Sequence, residues 1–118
     1  MAPKVQLLWW RGCPSWERAL AMLRAEMEAR GIGEESLEVV EIRDGEQARS
    51  HGFPGSPTIR VEGRDVQPPD PQGARGLTCR VYRRRDGRVS PLPDPADIGE
   101  ALERAGSGDA PGGEEERG

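Results

Sequence analysis

Apolar positions along the chain change period several times, and each change marks an element. Lys4 to Trp10 is a short, nearly continuous apolar run that stops at Arg11-Gly12, the pattern of a buried strand. Beyond it Trp16, Leu20, Leu23 and Met27 recur at spacings of four, three and four, which places them on one face of a helix. Pro14 suits the first helical position, where its missing N–H costs nothing, and Gly31 and Gly33 end the helix. Leu37 to Ile42 predicts a second strand, with Val39 alternating with acidic neighbours. Asp44 is placed to cap a short helix that reaches His51 and is stopped by Gly52.

Turn residues crowd Gly52-Phe53-Pro54-Gly55-Ser56-Pro57 and lead into a third strand, Thr58 to Glu62. Gly63 to Gly76 then reads as one long Pro/Gly-rich loop, of a length that usually signals function or mobility. A fourth strand is expected from Leu77 to Arg83, with Leu77, Cys79 and Val81 on one side. Asp86-Gly87 is a hairpin signal, so Arg88 to Leu92 is expected to pair back as a short extra strand. Asp94 caps a last helix with Pro95 in its first position and an apolar stripe of Ile98, Ala101, Leu102 and Ala105. This order predicts an α/β domain with a four-stranded mixed sheet and helices on both faces. Its first two strands form a right-handed parallel crossover and its third and fourth an antiparallel pair.

Composition narrows the picture. The 118 residues suit one domain, residues 1–105, followed by an acidic, Gly-rich tail from Gly106 to Gly118 that has only Ala and Pro to bury and is expected to be disordered. That tail holds most of the net charge of −4, so the folded body is nearly neutral and presents no basic field for nucleic acid. The run Arg80, Arg83, Arg84, Arg85 and Arg88 reads as a solvated hairpin. Leu7 to Trp10 is too short for a signal peptide's apolar region or a membrane span, so a cytoplasmic location without membrane partners is expected. In that compartment two cysteines are expected as thiols and not as a permanent staple.

Cys13 carries the main chemical signal. At the amino end of a helix it faces unpaired N–H groups and the positive end of the dipole, which favour thiolate. Such positions lower a thiol pKa from about 8.5 to roughly 3.5–7.5. Gly12 and Pro14 are expected to hold Cys13 in an exposed turn, Arg11 to add positive potential, and Trp10 and Trp16 to supply apolar walls. The alternation of Cys79 with Leu77 and Val81 predicts a small buried side chain. The alternative is a distant resolving thiol delivered to Cys13 by the loop before it, which requires Cα atoms within about 7 Å. By pattern alone Pro57 is an ordinary trans turn proline. His51 is the single histidine and has no partner at metal spacing, so neither metal nor cofactor is expected. Glu41, Asp44 and Glu46 read as surface and cap residues, not a paired acid–base site.

The segment Trp10-Arg11-Gly12-Cys13-Pro14-Ser15-Trp16, followed by Gly55-Ser56-Pro57-Thr58 ahead of the third strand, resembles the thioredoxin-like superfamily from about Lys4 to Ala105. The resemblance implies a thioredoxin-like β-α-β-α-β-β-α fold with Cys13 as nucleophile. It further implies a cis Ser56–Pro57 bond facing that thiol, which would leave the Ser56 backbone free to pair with an extended substrate peptide. Trp16 stands where the usual Cys-x-x-Cys pair has its second thiol, and the serine of one-thiol glutaredoxins is absent there too. The Cys-Pro-Ser-Trp form, with Gly76-Leu77-Thr78-Cys79-Arg80 later, looks like a bacterial branch of the superfamily, some members of which are labelled alkylmercury-lyase-like.

Three functions are thereby in play. The first is thiol redox chemistry on a thiol or disulfide substrate, with Cys13 and Cys79 catalytic and Trp10, Arg11, Trp16, Ser56 and Pro57 meeting the substrate. The second is handling of a soft metal or organomercurial by the two thiolates, for which Glu17 is the nearest acid to Cys13 in sequence. The third is a binding module that has kept the fold without the chemistry.

Overall fold

The computed structural model describes residues 3–69, 72–73 and 75–106. Its main sheet has four strands: β1 (Val5–Trp9), β2 (Leu37–Glu41), β3 (Thr58–Val61) and β4 (Arg64–Asp65), in the spatial order β2-β1-β3-β4. β1 pairs parallel with β2 and antiparallel with β3, and β3 pairs antiparallel with β4. The sheet is therefore mixed. A separate two-stranded hairpin, β5 (Tyr82–Arg83) and β6 (Val89–Ser90), follows.

β1 is central, and its residues divide between two cores as the period of a strand demands. Val5 and Leu7 join Ile59 and Val61 under helices α1 (Trp16–Ala29) and α3 (Pro95–Gly106), packing on Ala19, Leu23, Met27, Ile98 and Leu102. Leu8 points the other way, into a smaller cluster with Ile42, Phe53 and Ala48 of helix α2 (Gly45–Ser50). Helices thus cover both faces. The α2 cap is as expected, with Asp44 Oδ1 accepting from the Gln47 amide at 2.8 Å. At the start of α3 Asp94 Oδ1 accepts from Ala96 N at 3.0 Å.

Four expectations require correction. The antiparallel partner of β3 is Arg64–Asp65 and not Leu77–Arg83. Glu62 and Gly63 both have positive φ, 54° and 79°, the geometry of a tight two-residue hairpin turn, so the chain reverses at once and the supposed long loop opens with a strand. Leu77 to Val81 forms no strand with β3. Its backbone meets the turn before β3 through a parallel bridge between Ser56 and Cys79. Arg80 is not solvated but buried, together with Tyr82, so the face of this segment turned inward is the opposite of the one its apolar residues suggest. Finally, α1 begins at Trp16 with Ser15 as its N-cap, which leaves Pro14 in the preceding turn. α3 extends through Gly106; the rest of the expected tail, Ser107 to Gly118, lies outside the described residues.

Candidate functional site

The site forms where the end of β1, the turn before β3 and the Leu77–Val81 segment converge. Leaving β1, the chain turns so that the Cys13 amide donates to Trp10 O at 3.0 Å. Gly12 suits that turn because the Trp10 ring lies over it, and a Cβ at position 12 would force the ring to move. The turn carries Cys13 inward. Its side chain is 1% exposed, not held in an exposed turn as expected, and its Sγ donates to Ser56 O at 3.3 Å.

Ser56 organises the rest. Its Oγ accepts from the Trp10 amide at 3.0 Å, tying the two loops together. The Ser56–Pro57 bond is cis. The Ser56 backbone is not free. Its N–H donates to Thr78 O at 2.8 Å, and its carbonyl accepts from Arg80 N at 2.8 Å. The chain has therefore laid its own extended segment against this edge. Gly55 makes that approach possible, since a Cβ there would meet Arg80 Cβ at 3.1 Å and Arg80 Cα and N at 3.2 Å. Its φ of +145° also disfavours any other residue.

Arg80 anchors the segment from below. Its Nη1 pairs with Asp65 Oδ2 at 2.7 Å and reaches Thr58 Oγ1 at 3.3 Å, while Nη2 donates to Gln67 O. The guanidinium lies 4.4 Å from the centroid of the Tyr82 ring. Tyr82 is fully buried and its hydroxyl donates to Pro57 O at 2.6 Å. Burial pushes the Tyr82 phenol well above its ordinary value, and the Asp65 carboxylate adds to the rise against the opposing pull of Arg80. Arg80, Asp65 and Tyr82 are thus the positioning residues that sequence reasoning missed. An arginine and a tyrosine alternating at positions 80 and 82 was a legible signal, masked by the competing alternation of Leu77, Cys79 and Val81.

With Arg80 turned inward, Cys79 turns out and is exposed, not buried beside Leu77 and Val81. It nevertheless lies beside the Cys13 site, because Cys79 bridges the backbone of Ser56, whose carbonyl accepts from the Cys13 thiol. Desolvation first, and then the neighbouring Cys13 sulfur, push the Cys79 thiol above the ordinary cysteine value, although the residue as a whole is open to solvent. The structure brings together Cys13, Cys79, Ser56, Pro57 and Trp10. Trp16 instead stacks on Trp9, with ring centroids 3.9 Å apart, and Arg11 is exposed beside Glu41 and Arg43. His51 is exposed, and its carbonyl accepts from Arg60 at 2.8 Å.

Two thiols brought to one serine's main chain can exchange between dithiol and disulfide or grip one soft cation. Among the described residues no three His, Cys, Asp or Glu side chains gather into a metal-binding group, and no helix is long and apolar enough to cross a membrane. Comparison of the chain with family models, with curated proteins and with solved structures finds no match.

Proposed function

We propose that this protein is a thiol-redox protein of thioredoxin-like build, cycling between a Cys13/Cys79 dithiol and an internal disulfide. The observation that carries this reading is the convergence of the two cysteines on Ser56 from opposite halves of the chain: the buried Cys13 thiol donates to the Ser56 carbonyl, and the exposed Cys79 bridges the Ser56 backbone. The β1-α1-β2 unit, the turn before β3 and the placement of Cys13 beside Ser56 are in keeping with that build. The chemistry needs no cofactor. One thiolate of the pair attacks a sulfur of an external disulfide, forms a mixed disulfide and expels the other half, which takes up a proton. The second thiol then loses its proton, attacks the mixed disulfide at the protein sulfur and releases the remaining half. The protein gives up two electrons and two protons, and the external disulfide gains both.

The test is intact mass of the reduced protein after exposure to a small-molecule disulfide. A monomer lighter by two protons, restored by dithiothreitol and absent from Cys13→Ser and Cys79→Ser, is expected. The same convergence of both cysteines on Ser56 favours a second reading, two-coordinate binding of a soft cation. A tight Hg(II) or Cu(I) complex lost on removing either cysteine, in a protein that does not form the internal disulfide, would select it.

A further inference from the structure

We propose that Cys79, and not Cys13, is the thiol that meets the external disulfide, that this disulfide is a small molecule, and that Cys13 is the resolving thiol beneath it. The proposal rests on the dithiol reading above and assigns the order of its two steps. An attacking sulfur must be reached along the axis of the S–S bond it breaks, which needs open space in front of the thiol. Cys13 is 1% exposed and directed at Ser56 O. The Ser56 carbonyl that accepts from its thiol also accepts from the Arg80 amide, in a segment held on Ser56 by two main-chain hydrogen bonds and from below by the Arg80–Asp65 pair. Cys79 is exposed and sits at the rim of an open depression of about 320 Å³ bordered by Pro54, Gln67, Pro68 and Val81.

The same hydrogen bonds define the substrate class. A polypeptide recognised by strand pairing would need the N–H and carbonyl of Ser56, and Thr78 and Arg80 hold both. What remains accessible is a sulfur beside a shallow, proline-walled depression at the lower end of the volumes that small ligands occupy, about 300–1,000 Å³. Cys79 Sγ bonds to one sulfur of the substrate while the other leaves as thiolate and is protonated. Cys13, held at the same Ser56 backbone that Cys79 bridges, gives up its proton and attacks Cys79 Sγ, releasing the second half.

The experiment uses the full-length reduced protein with oxidised glutathione as the probe, read by rapid acid quench, intact mass and peptide mapping. Cys13→Ser is expected to accumulate a stable mixed disulfide on Cys79 at close to the wild-type rate. Cys79→Ser is expected to react at least tenfold more slowly. A brief iodoacetamide pulse on the wild-type protein, which involves no substitution, is expected to label Cys79 before Cys13. Labelling of Cys13 first, with a fast mixed disulfide on Cys13 in Cys79→Ser, would overturn the order and leave the dithiol reading standing. A wild-type protein that takes up glutathione but never closes the internal disulfide would overturn that reading, and the resolving role of Cys13 with it.

Discussion

The Cys13 thiol donates to the Ser56 carbonyl at 3.3 Å, and the Arg80 amide donates to the same oxygen at 2.8 Å. One acceptor thus joins the buried thiol to the Leu77–Val81 segment. Whatever loosens that segment must alter the environment of Cys13, so its anchors can be tested by the reactivity of a thiol they do not touch.

The main anchor is the Arg80–Asp65 pair, whose side chains are 7% and 9% exposed. Truncating one partner of a buried pair strands the other, at a cost of about 3–5 kcal/mol. Arg80→Ala is expected to lose about 3 kcal/mol in urea unfolding and to raise alkylation of Cys13 at least tenfold in the folded protein. Arg80→Lys should fall between, because a lysine cannot reach Asp65, Thr58 and the Gln67 carbonyl with one planar fork. Loss of stability with Cys13 still unreactive would show that the segment is not what shields it.

Gly55 offers a narrower lever. A methyl group there meets Arg80 main-chain atoms at 3.2 Å, and φ of +145° is strained for an L residue. Gly55→Ala is expected to destabilise by about 1–3 kcal/mol, the usual cost of such backbone strain, and to expose Cys13. Gly76→Ala is the control: a Cβ at Gly76 has nothing within 4 Å, and neither stability nor Cys13 labelling should change beyond error.

These levers lie largely where the sequence was hardest to read. The elements with strong periodicity and clear punctuation, namely β1, α1, β2, α2, β3 and α3, were legible, and so were the Asp44 and Asp94 caps. The start of α1 was not, because Pro14 also fits the turn before a helix. β4 is two residues long and carries no apolar pattern; the Glu62-Gly63 turn creates it, through a positive φ at a glutamate that no propensity would suggest. The Leu77–Val81 segment was misread because period 2 offers two faces and hydrophobicity chose the wrong one. Arg80 won the inward face because Asp65, Thr58 and Gln67 meet its polar atoms while Tyr82 takes its flat side, which removes most of the penalty of burying a charge. The exposure of Cys79 follows from that choice alone. Pairing of residues brought together only by the tertiary fold cannot be read from local pattern.

Alkaline pH should weaken the fold through two protonated groups. Burial raises the Tyr82 phenol, and desolvation together with the Cys13 thiol raises Cys79. Each group is neutral when protonated, so the folded state holds its proton more tightly than the unfolded chain does. The stability they contribute is complete below the unfolded values, about 8.5 for the thiol and about 10 for the phenol, and is lost as pH rises through the folded ones. Urea midpoints are expected to be level from pH 7 to about 8.5 and to fall beyond, most steeply above 10. Tyr82→Phe should be less stable at neutral pH, because Pro57 O loses its donor, at a cost of about 1–3 kcal/mol. Its decline above pH 10 should be shallower than in the wild type. An equally steep decline would place the alkali-sensitive group elsewhere.

Oxidation should act in the opposite direction. A Cys13–Cys79 bond closes a loop of roughly 66 residues, and the chain-entropy relation gives about 4 kcal/mol for constraining the unfolded state, less any strain introduced on closure. Each kcal/mol moves the unfolding midpoint of a domain of this size by about 4–8 °C. Mildly oxidised monomer is therefore expected to melt on the order of 20 °C higher than reduced protein, less whatever strain closure introduces, with the gain abolished by dithiothreitol. The geometry favours the internal bond over a covalent dimer, since Cys13 is buried and bonded to the Ser56 carbonyl while Cys79 bridges that same residue. Neither Cys13→Ser nor Cys79→Ser should show a redox-dependent shift, and a dimer, where it forms, should be linked through Cys79. Calorimetry of reduced and oxidised samples, with non-reducing electrophoresis of the same material, checks each point. A Cys13-linked dimer with Cys79 free, or an oxidised monomer that melts no higher than the reduced one, would contradict the expectation.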